Sequence, residues 1–128
     1  MDEAKRGLIA NFLKEFKKIA TEGRGIDFIS RRKNLNSLAK LGLTKKNCKE
    51  EILSLSVAEY CEGPKPDKDR KGEIWEFGKL IGNKEVYIKL KIALVGKEKI
   101  AKCLSFHLAQ YPLSFPFRED SEKGGEKK

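Results

Sequence analysis

The sequence predicts an α+β domain in which N-terminal helices pack on one face of an antiparallel sheet of three to four strands. Residues 3–54 place apolar side chains at helical spacing, whereas residues 73–107 alternate apolar and polar side chains with a period of two. A chain of 128 residues is large enough to bury one hydrophobic core. We therefore expect a single domain over residues 1–117.

Three helices are expected in the first half of the chain. Residues 1–24 contain an additional amphipathic N-terminal helix, which ends at Gly23–Gly25. A second helix is expected from Ser30 to Leu41 and ends at Gly42, and Thr44 caps a third that reaches Ser54 or beyond. The apolar face of the first helix consists of Leu8, Ile9, Phe12, Leu13, Phe16 and Ile19.

Three strands are expected to form an antiparallel meander. Glu73–Lys79 is the first, and a turn at Gly82-Asn83 leads into a second strand, over residues 85–94, whose apolar side chains alternate with polar ones. The third covers residues 100–107. In this meander Glu76 lies near Lys89, and Gly78 leaves open space beside Tyr87.

The register of the last two strands follows from parity, because their apolar residues must lie on the same side of the sheet. A two-residue turn at Gly96-Lys97 would place His107 opposite Val86, among apolar side chains. An odd loop at residues 95–99 instead places Tyr87 opposite His107. The same register pairs Lys89 with Ser105, Ile88 with Phe106 and Leu90 with Leu104, and it puts Cys103 on the polar face.

The segments on either side of the meander carry different expectations. Residues 63–72 form a polar loop with two prolines, which keep its backbone out of the sheet. The loop either overhangs the polar face and contacts phosphates or is a plain solvated connection. Residues 108–117 are apolar enough to pack as an extended edge, whereas residues 118–128 form a charged tail expected to be disordered.

The composition favours a polyanionic partner. Net charge is +9, and residues 1–50 alone hold 13 basic and 6 acidic side chains. General solubility is the alternative explanation, and a solvated helix face is the alternative for the basic cluster at residues 30–34. The three cysteines show no metal-binding spacing, and no apolar run approaches about 20 residues, so we expect no metal, no cofactor, no membrane contact and a cytoplasmic location.

Residues 28–107 carry a set of short motifs in a fixed order. These are LGL followed by LSLSVAEY, then IWEFGK, EVYIKLKI and CLSFH. In this order they resemble the MqsR-type toxins of toxin-antitoxin systems, which belong to the RelE superfamily. The resemblance implies a RelE-like fold and a ribonuclease that cleaves mRNA without metal. It also implies a cognate protein antitoxin as partner. The expected assembly is either a homodimer or a toxin-antitoxin hetero-oligomer.

The resemblance also assigns positions. Tyr87 matches a tyrosine on the central strand of such toxins, Glu76 stands where they have a glutamine, and His107 takes the place of a lysine after Ser-Phe. The lysine expected just after Tyr60 is missing, because Cys61 follows it. Substitutes on the loop are Lys65, Lys68, Arg70 or Lys71.

Metal-free RNA cleavage requires a base, an acid and positive charge near the phosphate. We expect His107 to be the acid and Glu76 the base, unless Glu76 is only an ion-pair partner of Lys89. Lys89 would stabilise charge, and Tyr87 would orient the phosphate or stack on a base. The expected RNA-binding residues are Lys91, Lys68, Arg70 and Lys71. The competing hypothesis is a non-catalytic RNA-binding or regulatory module of the same fold.

Overall fold

A computed structural model describes residues 3–118, which form three α-helices, one 3-10 turn and a five-stranded sheet. The strand order is β1-β5-β4-β3-β2, with β1 parallel to β5 and every other pair antiparallel. The α+β class is confirmed. The elements are α1 Glu3–Glu22, β1 Ile26–Phe28, α2 Arg32–Leu41, α3 Lys45–Leu53, the 3-10 turn Val57–Glu59, β2 Tyr60–Pro66, β3 Glu73–Ile81, β4 Lys84–Val95 and β5 Glu98–Leu108.

The sheet is mixed and has five strands, so the expectation of an antiparallel sheet of three to four strands was wrong. Two strands were missed. The first, β1, is only three residues long and carries too little periodicity to be recognised. The second, β2, contains Pro64 and Pro66, but it is an outer strand that needs hydrogen bonds along one side only, which is where prolines are tolerated in sheets.

The hydrophobic core lies between one face of the sheet and the helices. The Phe12 ring on α1 stacks on Trp75 with ring centroids 4.8 Å apart, and it lies 6.2 Å from Phe77. Helices α2 and α3 contribute Leu38 and Ile52 to the same core. The packing of the N-terminal helix on the sheet is therefore as expected. No helix in residues 3–118 has the length and apolar character needed to cross a membrane.

The β4–β5 register agrees with the prediction near His107 and departs from it further along. Tyr87 pairs with His107, and Lys89 pairs with Ser105. The connection, however, is the two-residue turn Gly96-Lys97. The extra residue that was expected in the loop lies instead in a β-bulge after Lys89. Leu90 consequently pairs with Cys103 instead of Leu104.

The bulge changes which side chains face the core. Cys103, expected on the polar face, is completely buried in the core. Leu104, expected in the core, instead lines a groove on the polar face. The expectation that the apolar residues of the two strands share one side holds for Ile88 and Phe106 but fails for Leu104, because the bulge interrupts the alternation of β5 between Cys103 and Ser105.

Helix α2 completes the edge of β5 beyond the short strand β1. The buried Asn34 side chain donates to the carbonyl oxygens of Ile29 at 2.8 Å and Leu104 at 3.2 Å, and it accepts from the Phe106 N–H at 3.1 Å. The Ser37 hydroxyl accepts from the Leu108 N–H at 2.9 Å. The Asn34 and Ser37 side chains therefore make the hydrogen bonds to the end of β5 that a neighbouring strand would otherwise make.

The segment after β5 crosses the polar face of the sheet instead of forming an extended edge. Leu113 and Phe115 lie over Gly78, where an added Cβ would come within 2.5 and 2.9 Å of them. The space beside Tyr87 that Gly78 was expected to leave open is therefore filled. Phe117 is buried against Tyr60. Of the tail expected to be disordered, residues 119–128 lie outside the described part of the chain.

Candidate functional site

An open cleft of about 600 Å³ lies on the polar face of the sheet. All four residues predicted to be catalytic, Glu76, Tyr87, Lys89 and His107, line it. The ladders bring them together, because Glu76 pairs with Lys89 across β3 and β4 and Tyr87 pairs with His107 across β4 and β5. Strands β3, β4 and β5 therefore form its floor, and residues 109–114 form one wall.

The hydrogen bonding of His107 fixes which ring nitrogen can react. Its ring lies 5.2 Å from the Tyr87 ring, and its Nδ1 is 2.9 Å from the carbonyl oxygen of Leu108. A carbonyl only accepts, so Nδ1 carries the hydrogen and Nε2 is an acceptor in the neutral ring. Among residues 3–118 no fully buried side-chain nitrogen or oxygen lacks a partner, so Nε2, which has no partner, keeps some exposure on a residue that lines the cleft.

The surroundings of His107 favour its neutral form. Burial is the main cause that lowers its pKa from the ordinary value of 6.5, and the bond to Leu108 opposes this only in part. The positive charges of Lys33 and Lys89 lower the pKa further. A neutral imidazole with a free Nε2 is suited to accept a proton. This arrangement favours a general base over the general acid expected from the sequence.

The phenol of Tyr87 is held in its protonated form. Burial raises its pKa, and the negative charge of Glu76 raises it further. Tyr87 is therefore a hydrogen-bond donor throughout the neutral range. It lies next to the acceptor His107, so the cleft places a proton donor and a proton acceptor side by side.

Glu76 is engaged by a lysine that the sequence offered only as one of several substitutes. Lys65 Nζ lies 2.9 Å from Glu76 and 3.4 Å from Glu62. The hydrogen bond to Glu76 is the main cause that raises the pKa of Lys65. Lys65 is thus the β2 residue that brings positive charge to the cleft near Cys61, where the expected lysine is absent. A carboxylate held in this way is less available as a base.

Three further cations lie in the cleft. Within residues 3–118 Lys89 has no hydrogen-bonding or ion-pair partner, and Arg31 at the start of α2 likewise has none for its side chain. Lys33 donates to the side chain of Gln110, which also lines the cleft, at 3.2 Å. The basic cluster at residues 30–34 had two explanations, a solvated helix face and a binding site. The sequence alone could not decide between them.

A second, more basic groove of about 890 Å³ adjoins the cleft and shares Arg31 and Lys89 with it. Lys102 lines its floor, and Arg70 and Lys71 line it from the loop at residues 67–72. This part of the loop expected at residues 63–72 does overhang the polar face, residues 63–66 belong to β2 instead, and the contact with phosphates stays a prediction. The cleft and the groove together form one continuous cationic surface along β4 and β5.

Asp67 anchors the overhanging loop. It forms a salt bridge with Lys91, which lowers the pKa of Asp67 to about 2, and it also accepts from the Asp69 N–H at 2.9 Å. Lys91 is only 4% exposed, so its charge is taken up by Asp67 and is not presented to a phosphate. Lys68 is exposed on the loop but lines neither cavity. Lys91 therefore lines the groove with its charge neutralised by Asp67, and Lys68 lies outside both cavities.

Other chemistries find less support in the cleft. Burial raises the pKa of the Cys61 thiol to about 12, so Cys61 stays protonated and is a poor nucleophile. Within residues 3–118 no three or more His, Cys, Asp or Glu side chains are grouped in a way that could hold a metal ion.

Comparison with protein-family models, with curated proteins and with solved structures gave no significant match to this chain. The resemblance to MqsR-type toxins therefore remains a prediction from the sequence.

Proposed function

We propose that the protein is a metal-independent endoribonuclease that cleaves single-stranded mRNA and acts as the toxin of a toxin-antitoxin pair with a RelE-like fold. The observation that carries the proposal is the adjacency of His107 and Tyr87 in a cationic cleft. His107 offers a ring nitrogen that can accept a proton, and Tyr87 offers a protonated phenol that can donate one. Proton transfer on both sides of a phosphate requires such a pair.

The proposed reaction moves two protons. His107 Nε2 takes the proton of a ribose 2′-hydroxyl, and the 2′-oxygen attacks the adjacent phosphorus. The bond from phosphorus to the 5′-oxygen breaks, and that oxygen takes a proton from Tyr87, because an alkoxide is a stronger base than a phenolate. Lys89 offsets the negative charge that grows on the phosphoryl oxygens. The products are a 2′,3′-cyclic phosphate and a 5′-hydroxyl end.

Glu76 has a supporting role in this scheme. Its ion pair with Lys65 holds both side chains at the cleft, 2.9 Å apart, and its charge adds to burial in raising the pKa of the Tyr87 phenol. His107 therefore takes the role of base that was expected of Glu76, and Tyr87 takes the role of acid that was expected of His107. The adjoining groove, with Arg70, Lys71 and Lys102, would hold phosphates of the flanking nucleotides.

The direct test is cleavage of a single-stranded RNA by the purified protein in the presence of a chelator. We expect fragments with 5′-hydroxyl ends, and no cleavage of an RNA that carries 2′-deoxyribose at the cleaved position. His107→Ala should lower the rate by roughly 100-fold to 10,000-fold, the usual contribution of a general base. Lys14→Gln is the matched control, because Lys14 is an exposed lysine on α1, which packs on the opposite face of the sheet.

The outcome also separates the two classes of function. Wild-type protein that binds RNA but cleaves none would favour the non-catalytic RNA-binding module. In cells, the proposal expects wild-type protein to arrest growth, His107→Ala to be harmless, and co-expression of a cognate antitoxin to restore growth. Equal toxicity of wild type and His107→Ala would contradict the catalytic assignment.

A further inference from the structure

The segment that follows β5 holds one exposed aromatic residue between two fixed points. The Ala109 N–H donates to the Glu85 carbonyl at 2.9 Å, and the Leu113 N–H donates to the Glu85 carboxylate at 3.4 Å. Tyr111 lies midway between these two anchors. Past Leu113 the chain is held again, because Phe117 is buried in the core. Tyr111 is thus carried on a short loop that is tied at both ends.

The Tyr111 side chain is highly exposed. Its residue surface is 78% accessible, the highest value among the large hydrophobic side chains in the described part of the chain. No aromatic or cationic partner is found for its ring within residues 3–118. Single exposed aromatics are common on proteins, so exposure by itself indicates nothing.

The position of Tyr111 is what distinguishes it. It belongs to the wall of the cleft that holds His107 and also to the wall of a hollow of about 460 Å³ beside Lys84 and Glu85. A ring between two cavities is accessible to a planar ligand that leaves the cleft. Aromatic side chains beside a cationic groove are the usual platform on which proteins stack the bases of single-stranded nucleic acid.

The direction of β5 places Tyr111 relative to the rest of the cationic surface. Lys102 lies in the basic groove, His107 lies five residues later in the cleft, and Tyr111 follows beyond the end of the strand. The distance from Lys102 to His107 along an extended strand is about 16 Å. The groove and Tyr111 therefore lie on opposite sides of His107.

We propose that Tyr111 is a nucleobase-stacking residue that binds one base of single-stranded RNA, on the side of the reacting phosphate away from the basic groove. The proposal rests on the RNA-binding part of the proposed function. The cationic groove would hold phosphates on one side, and Tyr111 would hold a base on the other. Together they would fix the position of the strand across His107. Stacking needs only a planar ring, so Tyr111 would contribute affinity and register with little sequence preference.

The test uses binding and not cleavage. A 2′-O-methyl RNA of about eight nucleotides, which cannot react at its 2′-oxygens, is compared with a series in which one nucleotide at a time lacks its base. Wild-type protein should lose about 10-fold in affinity when one particular base is removed. Tyr111→Ala should bind the intact RNA about 10-fold more weakly and lose nothing further when that base is removed. Tyr111→Phe should behave as wild type.

Leu8→Ala is the matched control, because Leu8 is also an exposed hydrophobic residue but lies on α1, away from the cleft. It should leave every affinity unchanged. The inference is overturned if Tyr111→Ala binds the intact RNA as tightly as wild type does. It is also overturned if the penalty for the missing base is the same with and without the Tyr111 ring, or if wild-type protein binds no RNA.

The two proposals fail in different ways. Wild-type protein that cleaves RNA while Tyr111→Ala keeps the full penalty for every missing base would remove the stacking role and leave the ribonuclease. Wild-type protein that cleaves nothing, while the penalty for the missing base disappears in Tyr111→Ala, would remove the ribonuclease and leave the stacking role.

Discussion

At the scale of single residues, the protonation of His107 decides what chemistry the cleft can perform. The sequence offers one histidine, and an ordinary histidine can serve as acid or base near neutral pH. Its bond to the Leu108 carbonyl leaves Nε2 as the reactive atom, and burial lowers its pKa. A histidine can act as an acid or as a base, and the surroundings of His107 favour the base.

The pH dependence of cleavage follows from this selection. A base must be neutral, so the rate should rise with pH through the His107 pKa, which lies below 6.5, and should then stay level up to at least pH 8. An acid would give the opposite slope. His107 is the only histidine, so proton NMR of its ring can measure the same pKa without assignment ambiguity.

A substitution of Lys89 tests why the pKa of His107 is lowered. Its charge is one cause of the lowered pKa of His107, so Lys89→Gln should raise that pKa, whereas the remote Lys14→Gln should not. A rate that falls as pH rises past the measured pKa would return His107 to the role of acid.

At the scale of elements, the end of β5 depends on a helix side chain in place of a neighbouring strand. Strand β1 covers only residues 101–103 of β5, and Asn34 makes three hydrogen bonds to main-chain groups at and near the bulge. Bulges are stable only where the main-chain groups they displace find other partners. Asn34 therefore supports the geometry that places Ser105 and His107 in the cleft.

Removing that side chain should be costly. Asn34→Ala leaves the carbonyls of Ile29 and Leu104 and the N–H of Phe106 without their partner, and we expect a loss of about 3 kcal/mol in the free energy of unfolding. Asn36→Ala, on the exposed face of the same helix, should change it by less than about 0.5 kcal/mol. Urea unfolding measures both, and equal effects of the two substitutions would show that Asn34 does not support β5.

At the scale of the whole molecule, the sheet separates two environments. One face packs on α1 and carries the core, and the other carries the cleft and the basic groove. Charges on the second face are not equivalent. Lys89 is unpaired in the described part of the chain, whereas Lys91, two residues further along the same strand, is neutralised by Asp67.

Binding of single-stranded RNA should therefore depend on salt in a residue-specific way. Each phosphate neutralised by a lysine contributes about 0.7 to the slope of log affinity against log salt. Lys89→Gln should lower the magnitude of that slope by about 0.7. Lys14→Gln on the far face should leave it unchanged. Affinity measured by fluorescence anisotropy over a range of salt tests this, and affinity that does not vary with salt would contradict RNA binding through phosphates.

The sequence by itself determined the parts of the fold that depend on local pattern. The alternation in β4 separated Ile88 from Tyr87 and Lys89, and parity placed Tyr87 opposite His107, as the ladder confirms. The cap at Thr44 and the stop at Gly42 were also readable, because capping and a left-handed glycine act within one turn of chain.

Tertiary structure alone decided the features that depend on partners distant in sequence. The bulge at Leu104 is held by Asn34, which is 70 residues away, and the Lys91 charge is taken up by Asp67 from a different segment. Burial and neighbouring charge select the protonation state of His107. Periodicity assigns a side chain to a face of the sheet, but hydrogen bonding, ion pairing and desolvation depend on which other segments the complete fold brings to that face.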